Sequence, residues 1–146
     1  MQGPYMELVN SLSFKKIINL KSVSDTNKKV HNVISQRIFY ENFYDDYNKI
    51  LDDKDIDIVL ILTSMNEHAK ITKKAIKKNK HVLVEKPMAT NFKDLKDLYN
   101  VAKKSKKILL PAPFVILSPV FQAIHQEIKK IQLVKYHLLE LGMVGQ

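Results

Sequence analysis

A chain of 146 residues fits one ordinary domain, or one domain and part of another. Its 45% apolar content suffices for a buried core, and the absence of cysteine excludes disulfides and thiolate metal sites. The net charge of +9 raises the question of nucleic acid, but Arg37 is the sole arginine, and arginine is the residue suited to bidentate phosphate and base contacts.

No nucleic-acid partner is therefore expected. The lysines read as a solvated surface that can steer an anionic ligand. The first residues lack a basic segment followed by an apolar run, so no signal peptide is expected. The most apolar stretch, residues 108–121, is interrupted by Pro111, Pro113 and Pro119 and is too short to span a bilayer. The expected setting is cytoplasmic, with no membrane partner.

Tyr5, Leu8, Val9 and Leu12 follow helical spacing, with Pro4 in the first turn. Residues 17–23 read as a strand ending near Asp25. A short polar helix is predicted over 26–35, a weak strand over 37–40, and a short helix around Tyr47, Ile50 and Leu51 that stops in the acidic turn 52–55. Residues 58–62 form a continuous apolar run, which predicts a parallel strand covered on both faces. Ser64 and Glu67 have capping-box spacing ahead of a helix whose inner stripe is His68, Ile71, Thr72, Ala75 and Ile76. Lys70, Lys73, Lys74, Lys77 and Lys78 fall on its outer surface.

A second buried strand is predicted over 81–84. Thr90 or Asn91 caps the next helix, with Phe92, Leu95, Leu98, Tyr99 and Ala102 inward. Residues 108–110 read as a strand. Pro119 opens a helix carrying Phe121, Ile124 and Ile128 inward, and residues 133–141 read as a final strand. Strands alternating with helices imply a parallel sheet with right-handed crossovers.

Two features carry chemistry. The first is Glu85-Lys86-Pro87, which puts a lysine at the carboxyl end of a buried strand, where open α/β sheets bind ligands. The second is Gly3 before the first helix with Asp25 after the next strand. That separation suits a dinucleotide fingerprint, in which an acid holds a ribose hydroxyl. Only one glycine of the fingerprint is present, and taken alone the pair reads as a helix-start glycine and a turn aspartate. No metal-ligand spacing, catalytic triad or phosphate loop is seen, and His31, His125 and His137 read as structural or exposed.

Residues 44–87 resemble the NAD(P)-binding domain of the glucose-fructose oxidoreductase / inositol dehydrogenase (Gfo/Idh/MocA) family. The likeness rests on Tyr44-Asp45-Asp46-Tyr47 with Ile50-Leu51, on Asp57-Ile58-Val59, and on the Thr63-to-His68 loop with Asn66 and His68. It closes with the run from Lys80 to Pro87 and with Ala89. The resemblance implies an NAD- or NADP-dependent oxidoreductase acting on a sugar, cyclitol or related polyol. It implies Lys86 as the catalytic residue, placed between nicotinamide and substrate, where an ammonium can bond the reacting oxygen and handle its proton. Burial at such a place can draw a lysine toward neutrality. Gly3, Asp25, Thr63, Ser64, Asn66, Glu85 and Pro87 are implied on the cofactor side, Asp25 favouring NAD over its 2′-phosphorylated form, although Lys28 and Lys29 lie nearby. Pro87 permits a cis peptide bond. His68 matches a position usually occupied by histidine in the family and reads as a buried structural residue.

The expected architecture is a Rossmann-like α/β domain over 1–112 that lacks its first strand, followed over 113–146 by the beginning of an α+β substrate domain. Relatives start with a strand running into the glycine turn, and this chain has only Met1 and Gln2 there. In the order 3-2-1-4-5-6 that strand is central, so its neighbours either lose a partner or pair directly. The family's second catalytic histidine belongs to the part beyond residue 146, and 112–116 lacks an arginine often found there. An alternative expectation is a non-catalytic remnant, or an interaction module that joins other chains through open sheet edges, homo-oligomers included.

Overall fold

The computed structural model describes residues 4–112 and 118–140. The helices are α1 (Pro4–Phe14), α2 (Lys28–Ser35), α3 (Asn48–Asp52), α4 (Met65–Lys77), α5 (Phe92–Lys103) and α6 (Pro119–Glu140). The strands are β1 (Ser22–Ser24), β2 (Asn42–Tyr44), β3 (Ile58–Ile61), β4 (His81–Val84) and β5 (Leu109–Pro111). The chain divides into one unit ending at Pro111 and a second beginning at Ala112.

All strand pairs in the first unit are parallel, and a helix joins each strand to the next, as parallel pairing demands. They form two sheets: β1 with β2, and β3-β4-β5 in that order. Among the described residues no strand hydrogen-bonds to both β1 and β3. Of the two outcomes expected for β1 and β3, direct pairing with each other does not occur.

The core lies between β3-β4 and the helices α4 and α5. Ile71, Ala75 and Ile76 of α4 pack with Leu51, Ile61, Val82, Val84 and Leu98. The helical stripe read from the sequence is the buried one, and His68 and Thr72 share it. Asn91 caps α5: its side chain accepts from the Asp94 N–H at 2.9 Å. Asn91→Ala is expected to cost about 1 kcal/mol, read from a urea unfolding midpoint.

The end of α4 sets the start of β4. Asn79 takes φ 62°, the left-handed conformation that asparagine tolerates. The Asn79 N–H donates to Ile76 O and the Lys80 N–H to Ala75 O, the paired bonds of a Schellman ending. This turn carries Lys80 inward. Only 4% exposed, its Nζ donates to the carbonyls of Asp53 and Ile56, the latter at 2.7 Å. Beside it, Lys21 Nζ lies 2.8 Å from Asp55 and 3.2 Å from Asp53, tying the entry of β1 to the end of α3. The Asp55 backbone N–H, and after it Lys21, hold the Asp53 carboxyl below its usual range.

Several expectations are corrected. The strand expected over 37–40 is a turn, because the N–H groups of Arg37 and Ile38 both bond Ile34 O and prolong the end of α2. Pairing begins later, at Asn42. Continuous burial of β3 fails: Ile58 is 61% exposed, since no strand among the described residues covers that edge. In α5 only Leu98 is buried, and Phe92 is 77% exposed. The Ser64 side chain makes no capping bond, and Glu67 pairs instead with Lys70 at 3.1 Å. In the second unit, the strand expected over 133–141 is helical, within α6 up to Glu140. A helix satisfies its own backbone, whereas a strand needs a neighbour. Phe121, Ile124 and Ile128 are about half exposed rather than turned into a core.

Candidate functional site

The carboxyl ends of β3 and β4 bring together most of the residues singled out from the sequence. After β3 come Thr63 and Ser64, and Ser64 is the N-cap residue of α4. After β4 come Glu85, Lys86 and Pro87, and the Lys86–Pro87 peptide bond is cis. The two segments are joined by β3-β4 pairing, extended by the bond from the Glu85 N–H to Ile61 O at 3.0 Å.

His68, on the first turn of α4, links them again. It is 1% exposed; its Nδ1 lies 2.8 Å from Pro87 O and its Nε2 3.0 Å from Thr63 O. The helix phase set by Ser64 turns His68 inward on the stripe of Ile71, Thr72 and Ala75. A ring at that place reaches the loop before its own helix and the loop after the neighbouring strand.

Lys86 itself is exposed, and among the described residues its ammonium has no hydrogen-bond or ion-pair partner. The burial expected for it does not occur here. Its backbone N–H donates to its neighbour Glu85 Oε2 at 2.5 Å. Glu85 also faces Tyr5, in the first turn of α1. The Tyr5 side chain is 7% exposed, and burial, then the hydrogen bond and negative charge of Glu85, push its phenol up to about 12. Loss of the phenolic proton is therefore disfavoured in the folded state. The resulting stabilisation is complete below the unfolded value of about 10 and is lost as pH rises through about 12. Tyr5→Phe is expected to remove this alkaline loss, as measured by thermal melts across that window.

Asp25 follows β1 and is half-buried. One of its oxygens accepts from the Asn27 N–H at 2.8 Å, and its N–H donates to Tyr44 O. Its second oxygen has no partner among the described residues. Thr63, Ser64 and Asn66 are exposed, and Gly3 lies outside the described residues. The structure thus gathers Thr63, Ser64, Glu85, Lys86 and Pro87 on adjoining loops, with Asn66 in the first turn of α4 and Asp25 at the carboxyl end of a strand in the other sheet. Tyr5 and Lys80 carry structural weight that the sequence reading did not assign to them. For Lys80 the signal was present, a lysine between a helix-ending asparagine and an apolar strand.

Oxygen-rich ligand groups fit this rim. The Ser64 hydroxyl makes no capping bond, the backbone N–H groups of a helix start lie beside it, and an unshared carboxylate oxygen stands on Asp25. No group of three or more His, Cys, Asp or Glu able to hold a metal occurs among the described residues. No described helix is long and apolar enough to cross a membrane.

Comparison with known proteins identifies the family. The model of an oxidoreductase family with an NAD-binding Rossmann fold, Gfo/Idh/MocA, matches residues 4–112. A myo-inositol 2-dehydrogenase of Thermotoga maritima is 29% identical over 90 residues, which make up 62% of this chain and 27% of that protein. A levoglucosan dehydrogenase solved in complex with NADH and levoglucosan superposes with a TM-score of 0.61 at 30% identity, covering 64% of this chain and 25% of that one. An NAD-binding oxidoreductase of Klebsiella pneumoniae shares the fold at 23% identity, with a TM-score of 0.70 over 77% of this chain and 30% of its own. The chain spans about a quarter of the length of the first of these relatives. With its parallel sheets, flanking helices and matched span of residues 4–112, the chain belongs to the Gfo/Idh/MocA oxidoreductase family, within its NAD-binding Rossmann fold.

Proposed function

We propose that this chain contributes the cofactor side and the proton-handling lysine of an NAD-dependent oxidoreductase that acts on the carbinol carbon of a sugar, cyclitol or related polyol. The observation that carries the reading is the junction of the Thr63–Ser64 and Glu85–Lys86–Pro87 segments at the carboxyl ends of paired strands. This is where parallel α/β sheets receive ligands. The substrate class draws on the inositol and levoglucosan dehydrogenases that the chain resembles.

NAD, when bound, supplies the hydride-accepting ring. Asp25 holds ribose hydroxyls with its unshared oxygen. Ser64, Asn66 and the opening N–H groups of α4 receive sugar or phosphate oxygens. The Lys86 ammonium bonds the reacting oxygen, stabilises charge developing on it and relays its proton. Glu85 fixes the Lys86 backbone through the Lys86 N–H. Asp25 favours NAD over the 2′-phosphorylated form through charge repulsion. The setting proposed is the cytoplasm.

The test is direct. The protein is assayed for NAD reduction with inositols, anhydrosugars and acyclic polyols. Turnover with at least one class, lost in Lys86→Ala, is expected; inactivity on all three combined with failure to bind NADH contradicts the reading. A second reading rests on a separate observation: among the described residues, the edge of β1 away from β2 and the edge of β3 away from β4 lack ladder partners, and the Ser22 hydroxyl on β1 is buried without a hydrogen-bond partner. Such edges invite pairing with another chain. Light scattering that shows a stable assembly without NADH binding would favour that interaction role.

A further inference from the structure

We propose that residues 37–41, between α2 and β2, are a self-complementary docking segment, on which a second copy of this chain pairs antiparallel about a two-fold axis at Phe39. The argument starts from alternation. Ile38 is buried, and Tyr40 is half-buried with its hydroxyl donating to His31 O at 3.5 Å. Arg37, Phe39 and Glu41 are exposed, Phe39 by 82%. Inward and outward residues therefore alternate with the period of a strand, and Ile-Phe-Tyr is a strand-favouring run. Yet the segment lies in no ladder among the described residues. Neither the N–H nor the carbonyl of Phe39 has a hydrogen-bond partner there. The segment is nevertheless held in place, because Asn10 Nδ2 donates to Arg37 O at 3.0 Å.

Charge decides what covers it. An exposed ring stands midway between one cation and one anion, each two residues away. Setting Phe39 opposite its own copy in antiparallel alignment places Arg37 opposite the partner's Glu41 and Glu41 opposite the partner's Arg37. Parallel alignment in register sets like charges opposite each other, which is repulsive. Both charges are available. Arg37 is the sole arginine, and its guanidinium has no partner among the described residues. One Glu41 oxygen accepts from Asn19 at 2.8 Å, and the other is unshared there. A fork-shaped guanidinium suits that carboxylate. The free N–H and carbonyl of Phe39 are then exchanged with those of its copy, the hydrogen-bonded pair of an antiparallel ladder. A groove of about 590 Å³ runs beside the segment, lined by Asn10, His31, Arg37, Phe39, Glu41 and Phe43, and gives room for a second aromatic ring. Such a contact is isologous and closes as a dimer. It uses none of the residues placed at the cofactor side and neither open edge of β1 or β3, so it stands apart from both readings above.

The experiment is sedimentation velocity on the full chain over a range of concentrations. So short a segment buries less than a permanent dimer needs, so reversible association, half-complete at about 0.1 mM, is expected. Arg37→Glu and Glu41→Arg each set like charges opposite across the axis and should weaken self-association at least tenfold. Mixing the two variants places Glu against Arg at both ends, so the mixture should associate as the unaltered chain does. The double variant Arg37→Glu, Glu41→Arg should recover self-association, and it decides alone if either single variant fails to fold. A chain still monomeric at about 1 mM overturns the proposal. So does a mixture of the single variants that stays monomeric. Association that both single variants leave unchanged belongs to another surface and overturns it as well.

Discussion

Lys80→Met is expected to lower the free energy of unfolding by about 2 kcal/mol. Lys80 sits almost wholly inside the first unit, and its ammonium serves the carbonyls of Asp53 and Ile56. Those carbonyls lie in the turn between α3 and β3, where no ladder reaches them. Methionine retains the length and volume of the stem, so little cavity forms, and the loss isolates the polar term. The buried Ile56 carbonyl left without a donor costs about 1–3 kcal/mol, the Asp53 carbonyl keeps a long bond from the Ile56 N–H at 3.4 Å, and relief of the buried charge offsets part of the sum. The measurement is urea unfolding of both forms with matched slopes. A change below about 1 kcal/mol would mean that water replaces the ammonium without difficulty, and that the turn is not held from within.

Lys86→Met is expected to act in the opposite way, with little effect on stability and a large one on rate. The side chain is exposed and its ammonium has no partner among the described residues, so nothing in the fold depends on it. A positioned proton-transfer group contributes about a hundred- to ten-thousand-fold to rate, and that range is the expected loss in turnover. NADH affinity should hold within about threefold, because charge on the reacting oxygen matters in the transition state more than in binding. Lys86→Arg retains the charge but presents a planar fork in place of a compact ammonium, and should rescue only part of the loss. Equal losses in NADH affinity and in turnover would instead make Lys86 a cofactor-binding residue.

The parts of the fold legible in the sequence are those where one local rule decides. The α4 stripe of Ile71, Thr72, Ala75 and Ile76 was visible as spacing, and β4 at His81–Val84 as an apolar run between turn residues. The Asn91 cap was readable for the same reason. What failed depended on distant neighbours. Burial of Ile58 presupposes a strand on its open edge, and burial of Phe92 presupposes a surface to meet it. For residues 133–141, apolar content fits strand and helix alike, and no pairing strand is available within the second unit as described.

The site divides in the same manner. The places of Glu85-Lys86-Pro87 and of Thr63-Ser64 were legible because each follows the end of an apolar strand. The meeting of Tyr5 with Glu85 was not, because it joins the start of the chain to a strand far along it. His68 was legible as a buried residue on a stripe. That its two nitrogens face two carbonyls follows from the separation of the loops, which spacing along the chain does not encode.

The most direct test of the central claim, that the loops ending β3 and β4 form a dinucleotide site beside Lys86, is an NADH titration followed by amide chemical shifts. The account predicts saturable shifts concentrated at Asp25, at residues 63–66 and at Glu85 and Lys86, weakened in Asp25→Ala. Saturable shifts confined to other surfaces, or none at NADH concentrations of about 1 mM, the upper end of ordinary enzyme KM values, would contradict it.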